Sequence, residues 1–350
     1  MLLVFCCSLL WNWTVDPGLG LCRDAICVSA LLFLGLTSSS LSPGSEDCRP
    51  GSDSSIPMDE RQLVLLPTLT VLLKASDFSE ISSMPPSIFA RHSSEIDWCE
   101  ANYLHSEYVA EYYNTVTNIA FLLVGPLMMY LLHPYACRRS LTVHLVWIMF
   151  IMIGLFSMYY HMTLSFFGQL LDEISILWVI CLGYSIWLPQ PYFPRFIKGR
   201  SEFGAAIFVV AIVSTLMSLV KPTINAYVLN SITFHILYLL VKEIRKCSDR
   251  EIINLTFVSF CLWLVAISCW LSDRLFCNFW KRINFCYLHS FWHIFICLAV
   301  AHINTVFAYF DAQYEIPECT LQLQYWPFKS KRFGLPYLFI SQTKVSKKKC

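Results

Sequence analysis

Charge is what this chain has least of. Only 14% of its 350 residues are Asp, Glu, Lys or Arg, while 56% are hydrophobic and 15% aromatic, and the mean hydropathy is +0.55. Soluble globular domains carry about 25% charged residues, so the scarcity excludes that class and points to a polytopic membrane protein. A net charge of +1 excludes nucleic acid as a partner, because gripping phosphates needs a clustered basic surface. Paired CxxC motifs are missing too. The sixteen cysteines are scattered, and several, such as Cys181, Cys261, Cys269 and Cys297, sit in apolar runs where cysteine behaves as a small hydrophobe.

Apolar runs are plentiful. Seven of them, near 115–132, 143–163, 173–188, 204–220, 226–241, 254–271 and 289–310, approach the roughly 20 residues that a helix needs to cross a bilayer. The expected fold is an all-α membrane protein with seven transmembrane helices over 85–350, preceded by an N-terminal extension, 1–84, whose apolar runs are too short to span. The basic segments "HPYACRRS", "PQPYFPRFIKGRSEF", "KEIRKCSDRE", "KSKR" and "KKK" all fall on one side, which the positive-inside rule makes cytoplasmic. Residues 85–114 and 272–288 then face the lumen, with 189–203 and the carboxyl terminus in the cytoplasm. The lumenal side is oxidising and permits a disulfide between Cys99 and Cys277, which lie in polar segments outside the predicted helices.

Against this apolar background the stretch "GLFSMYYHMTLSFFGQLLDEISILWV", 154–179, stands out for its polar side chains. Polar groups inside a membrane are costly and usually face a protein interior or a cavity. Ser157 and His161 are spaced i,i+4 and share a helix face, and His289 and His293 in "YLHSFWHIF" repeat the spacing. The three histidines lie at one depth and are candidate zinc ligands with a fourth position open for water, the arrangement of a hydrolytic site. Single histidines more often bond between helices, but three at one level favour a metal. Asp172 is a candidate proton carrier: "SFFG" is expected to break the helix, so that Asp172 opens the next one and faces back toward His161. A first-turn acid favoured by the helix dipole would account for it equally well. Ser157 is a candidate hydrogen-bond donor to a developing oxyanion.

A second polar cluster, "SSEIDWCEANYLHSEYVAEYYNT", precedes the first helix. Asp97, Glu100, Asn102 and Glu111, with the Trp98 carbonyl, offer the hard oxygen ligands that suit calcium, although the spacing is not that of an EF-hand. A solvated acidic loop capping the helix is the competing reading.

Over residues 84–340 the chain resembles the alkaline ceramidase family. The blocks "EIDWCEANY", "AEYYNTVTNI", "GLFSMYYHMTLSFFGQLLDEISILW", "KPTINAY", "WLSDRLFC", "YLHSFWHIFI" and "FDAQYEIPE" carry the resemblance, in order. It implies catalytic zinc on His161, His289 and His293, with Ser157 and Asp172 as catalytic partners. It also implies structural or activating calcium on Asp97, Trp98, Glu100, Asn102 and Glu111, and a disulfide joining Cys99 to Cys277. The activity it implies is hydrolysis of ceramide to sphingosine and a fatty acid, in sphingolipid catabolism, in the endoplasmic reticulum membrane. A seven-helix receptor of the progestin and adiponectin receptor type also uses three histidines, but the "DWCEANY" block favours the ceramidase reading. A transporter would carry polar residues along the full length of several helices, whereas here they gather at one end.

Overall fold

The computed structural model describes residues 87–221, 223–327 and 334–342. The extension over 1–84 and the segments "KSKR" and "KKK" lie outside the described residues. Among those residues, seven helices are long and apolar enough to cross a membrane.

The first span is made of α1 (Tyr112–Thr117) and α2 (Ile119–Leu131). They meet at Asn118, whose Nδ2 donates to Asn114 O at 2.8 Å and so keeps a backbone carbonyl satisfied at the joint. A short helix, α3 (His133–Arg139), leads to α4 (Val143–Thr163), α5 (Phe166–Trp187), α6 (Arg200–Val220) and α7 (Thr223–Lys246). The long α8 (Arg250–Arg282) and α9 (Leu288–Glu315) follow. Small residues bring the helices together: a Cβ on Gly154 of α4 would sit 2.7 Å from Phe121 Cβ of α2, and one on Gly168 of α5 would sit 3.0 Å from Tyr160 Cα of α4.

Two expectations are corrected here. The break between α4 and α5 falls at Leu164–Ser165, the leading edge of "SFFG", and not across that whole stretch. Leu164 adopts the left-handed conformation (φ 49°, ψ 33°), and Ser165 caps α5 by accepting from Gly168 N at 3.1 Å. α5 therefore starts at Phe166, no acid lies in its first turn, and Asp172 sits in the second turn instead of opening the helix. Nor is 272–288 a loop along its whole length: 283–287 alone lies outside helix. α8 continues to Arg282 past a kink at Phe276 (φ −116°, ψ 24°). Its 33 residues rise about 50 Å at 1.5 Å each, against a hydrocarbon core of about 30 Å, so its charged last turns extend beyond lipid.

The strands β1 (Cys319–Trp326) and β2 (Leu335–Gln342) form an antiparallel pair after α9, with Leu323 opposite Leu338. The hairpin packs on α9, and Leu338 is fully buried. Toward this end of the bundle the core holds Met128, Tyr135, Trp147 and Phe150. An ionic network closes the same end. Arg139 Nε meets Asp311 Oδ2 at 2.8 Å, Arg200 Nη2 meets Glu315 Oε1 at 2.7 Å, and Tyr135 donates to Asp311 at 2.6 Å. The opposite end carries the polar residues singled out above.

Candidate active site

His161 lies on the last turn of α4, and His289 and His293 lie on the first two turns of α9. All three are buried. Their ring centroids are 4.7 to 5.0 Å apart, and they are the one group of three or more metal-binding side chains among the described residues whose ligand atoms all lie within 4.8 Å of one another. Each ring is held from behind. His161 Nδ1 meets Glu111 Oε2 at 2.5 Å, and His293 Nδ1 meets Thr117 Oγ1 at 3.0 Å. The His289 ring stacks on Trp98 at 3.7 Å. His161 Nε2 and His289 Nδ1 are left buried without a hydrogen-bond partner. Buried imidazole nitrogens rarely stay unsatisfied, and carboxylate or hydroxyl partners behind ligating histidines are the usual support of a metal centre. The triad fits a metal ion.

Ser157 lies one turn before His161 on α4 and is buried. The carboxyl of Asp172 faces its side chain from the second turn of α5. The left-handed turn at Leu164 thus brings Asp172 beside the Ser157–His161 face of the preceding helix. Asp172 is partly exposed, whereas its neighbour Glu173 is engaged by Gln169 Nε2 at 2.8 Å. A hydroxyl donor and a carboxyl group beside three histidines can stabilise an oxyanion and move a proton.

The segment before α1 wraps around the α4–α5 turn. Ser94 N donates to Leu164 O at 3.0 Å, Ala110 N to Met162 O at 3.1 Å and Glu111 N to His161 O at 3.0 Å. Its acidic residues fall into two roles. Glu100 is buried, and its oxygens accept from Tyr113 N and Asn114 N, at 2.6 and 2.8 Å, which caps α1. Asp97 accepts from Asn102 Nδ2 at 3.0 Å and lies near the Glu111 side chain. Burial pushes the Glu111 carboxyl up to about 8 and raises that of Glu100. Asn102 Oδ1 is buried without a partner. Asp97, Asn102 and Glu111 offer oxygens of the kind a hard cation takes, while Glu100 is occupied by the α1 amides.

Cys99, within this segment, is bonded to Cys277 of α8 (S–S 2.30 Å, Cα–Cα 5.3 Å). Two supports escaped the sequence reading. Thr117, behind His293, looks like any helical threonine, and Asp273, one turn before Cys277, was hidden in a stretch taken as loop.

A family model described as Ceramidase matches residues 90–339. The chain is 56% identical over 256 residues to alkaline ceramidase 1 of Homo sapiens, covering 73% of this chain and 97% of that protein. It is 53% identical over 257 residues to alkaline ceramidase 1 of Mus musculus, covering 73% and 94%. With the alkaline ceramidase of Drosophila melanogaster the identity is 41% over 249 residues, covering 71% and 88%.

Proposed function

The chain belongs to the ceramidase family, and from that premise we propose that it is a zinc-dependent amidohydrolase that cleaves ceramide to sphingosine and a fatty acid within the membrane. The observation that carries the reading is the buried triad of His161, His289 and His293, with two orphaned ring nitrogens, and with Ser157 one turn before His161 and Asp172 facing it. Family membership disfavours the receptor reading, whose signature differs in the block before the first helix.

His161, His289 and His293 would hold the zinc; when bound, the ion supplies a water acidified to near neutrality and polarises the amide carbonyl. Glu111 holds His161 in one orientation through Nδ1, leaving Nε2 as its ligand atom, and Thr117 does the same for His293. Asp172 takes the proton of the attacking water at its carboxylate and returns it to the departing sphingoid nitrogen, which leaves poorly until protonated. Ser157 donates its hydroxyl to the carbonyl oxygen as charge builds there.

Calcium is the proposed occupant of the loop formed by Asp97, Trp98, Glu100, Asn102 and Glu111, where it would order the segment over the site. The basic segments favour an orientation with this loop in the lumen, consistent with the Cys99–Cys277 disulfide, and the resemblance favours the endoplasmic reticulum. Residues 85–350 form the proposed catalytic unit, preceded by the extension 1–84.

The test is product analysis. Protein purified in detergent micelles and given ceramide should release sphingosine and fatty acid in equal amounts, and His161→Ala should abolish both products together with zinc content. Absence of hydrolysis by protein that carries zinc would overturn the reading.

A further inference from the structure

The block "WLSDRLFC" is so far accounted for only by Cys277. Four residues earlier, Asp273 is an almost fully buried carboxylate (1% exposed), with no cationic side chain bonded to it among the described residues. Its two oxygens serve two different segments. Oδ2 accepts from Cys99 N at 3.0 Å, and Oδ1 accepts from His289 N at 3.3 Å.

Both donors are well chosen. Cys99 stands between Trp98 and Glu100 in the loop proposed for calcium. His289 is the second residue of α9, whose own N-cap, Tyr287, provides no side-chain bond. The first amides of a helix have no intrahelical acceptor, and a negative charge is favoured there by the helix dipole. Asp273 therefore caps α9 from a neighbouring helix, at the histidine that belongs to the triad. The Cys99–Cys277 bond fastens the same loop residue one turn further along α8, so Cys99 is gripped twice, by its sulfur and by its amide.

We propose that Asp273 is a positioning residue that couples the acidic loop to the metal site, so that filling the loop sets the placement of His289. The proposal rests on the zinc and calcium reading given above. It differs from the Glu111–His161 contact, because it acts through backbone amides and on a different histidine. Trp98, stacked on His289 at 3.7 Å and with the Arg274 guanidinium 5.9 Å from its ring centroid, adds a packed contact along the same route.

The experiment uses the full chain in lipid nanodiscs with cobalt(II) replacing zinc, so that visible absorption reports the ligand field. In the wild type, adding calcium should change the cobalt spectrum and raise kcat. Asp273→Asn keeps the side-chain size but replaces one accepting oxygen by a donor. It should retain about one metal per chain, lose the calcium response of the spectrum, and lower kcat about 10- to 100-fold with KM little changed, as for residues supporting a ligand. A Ser272→Ala control should behave as wild type. Hydrogen exchange on the wild-type chain needs no variant: calcium should slow exchange over 286–293 as well as over 97–102. A wild-type calcium response in Asp273→Asn, or slowing confined to 97–102, would overturn the coupling. A wild type that binds no metal or ignores calcium would instead remove the reading on which the coupling rests.

Discussion

Glu111 touches His161 twice, through its backbone N–H on the histidine carbonyl at 3.0 Å and through its carboxyl on the ring Nδ1 at 2.5 Å. The ring is thus held in position and in tautomer by one residue, which also faces Asp97 in the acidic loop. Glu111→Gln keeps the backbone contact and removes the charge. Metal analysis should show zinc affinity reduced about 10- to 100-fold, with activity falling in parallel. Unchanged affinity would mean that the backbone contact alone positions the ring.

Ser157 and Asp172 face each other across the α4–α5 turn, so their losses should not add. Asp172→Ala should keep zinc and lose nearly all turnover, and Ser157→Ala should lose about a hundredfold or more, as for one oxyanion donor. In the double variant the combined loss should fall well short of the product of the two. Steady-state kinetics on the four proteins decides this. Fully multiplicative losses would separate the two residues into independent roles.

Metal removal gives a pH-dependent prediction. On the proposed reading the triad would hold its ion as neutral imidazoles and the acidic loop would hold calcium as ionised carboxylates, so emptying either site would take up protons. Calcium affinity and zinc retention should therefore both weaken as pH falls from 8 to about 5, and titration calorimetry should detect proton release on calcium binding below neutrality. Affinity that does not vary with pH would exclude carboxylates as the calcium ligands.

Packing offers a test that is independent of chemistry. A Cβ on Gly154 would press against Phe121 at 2.7 Å, whereas one on Gly204 would meet nothing within 4 Å. Gly154→Ala should destabilise by about 1–3 kcal/mol through overpacking, while Gly204→Ala should leave the thermal midpoint unchanged or slightly raised. Equal midpoints for the two variants would show that the α2–α4 contact yields without cost.

What was legible in the sequence was what lipid makes conspicuous. Polar side chains spaced i,i+4 in apolar runs announced Ser157, His161, His289 and His293, because such groups are rarely tolerated in a bilayer without a purpose. Helix ends were less legible. Arg274, Lys281 and Arg282 made the end of α8 look like loop, although a helix longer than the bilayer is thick carries charge outside it with no penalty. That misreading hid Asp273. The position of Asp172 was off by a turn because the break depends on one left-handed residue, Leu164, which no local pattern marks. The hairpin was available: "TLQLQ" alternates with a period of two, and β1 alternates in burial over its first half.

The division of the triad between α4 and α9 also sets a time of onset. His161 leaves the ribosome 128 residues before His289, and Cys99 waits 178 residues for its partner. On the proposed reading, a chain still being synthesised has Asp172 and Ser157 in place but lacks two of the three triad histidines until α9 arrives. The nascent protein would then stay inactive until its last spanning helix is made.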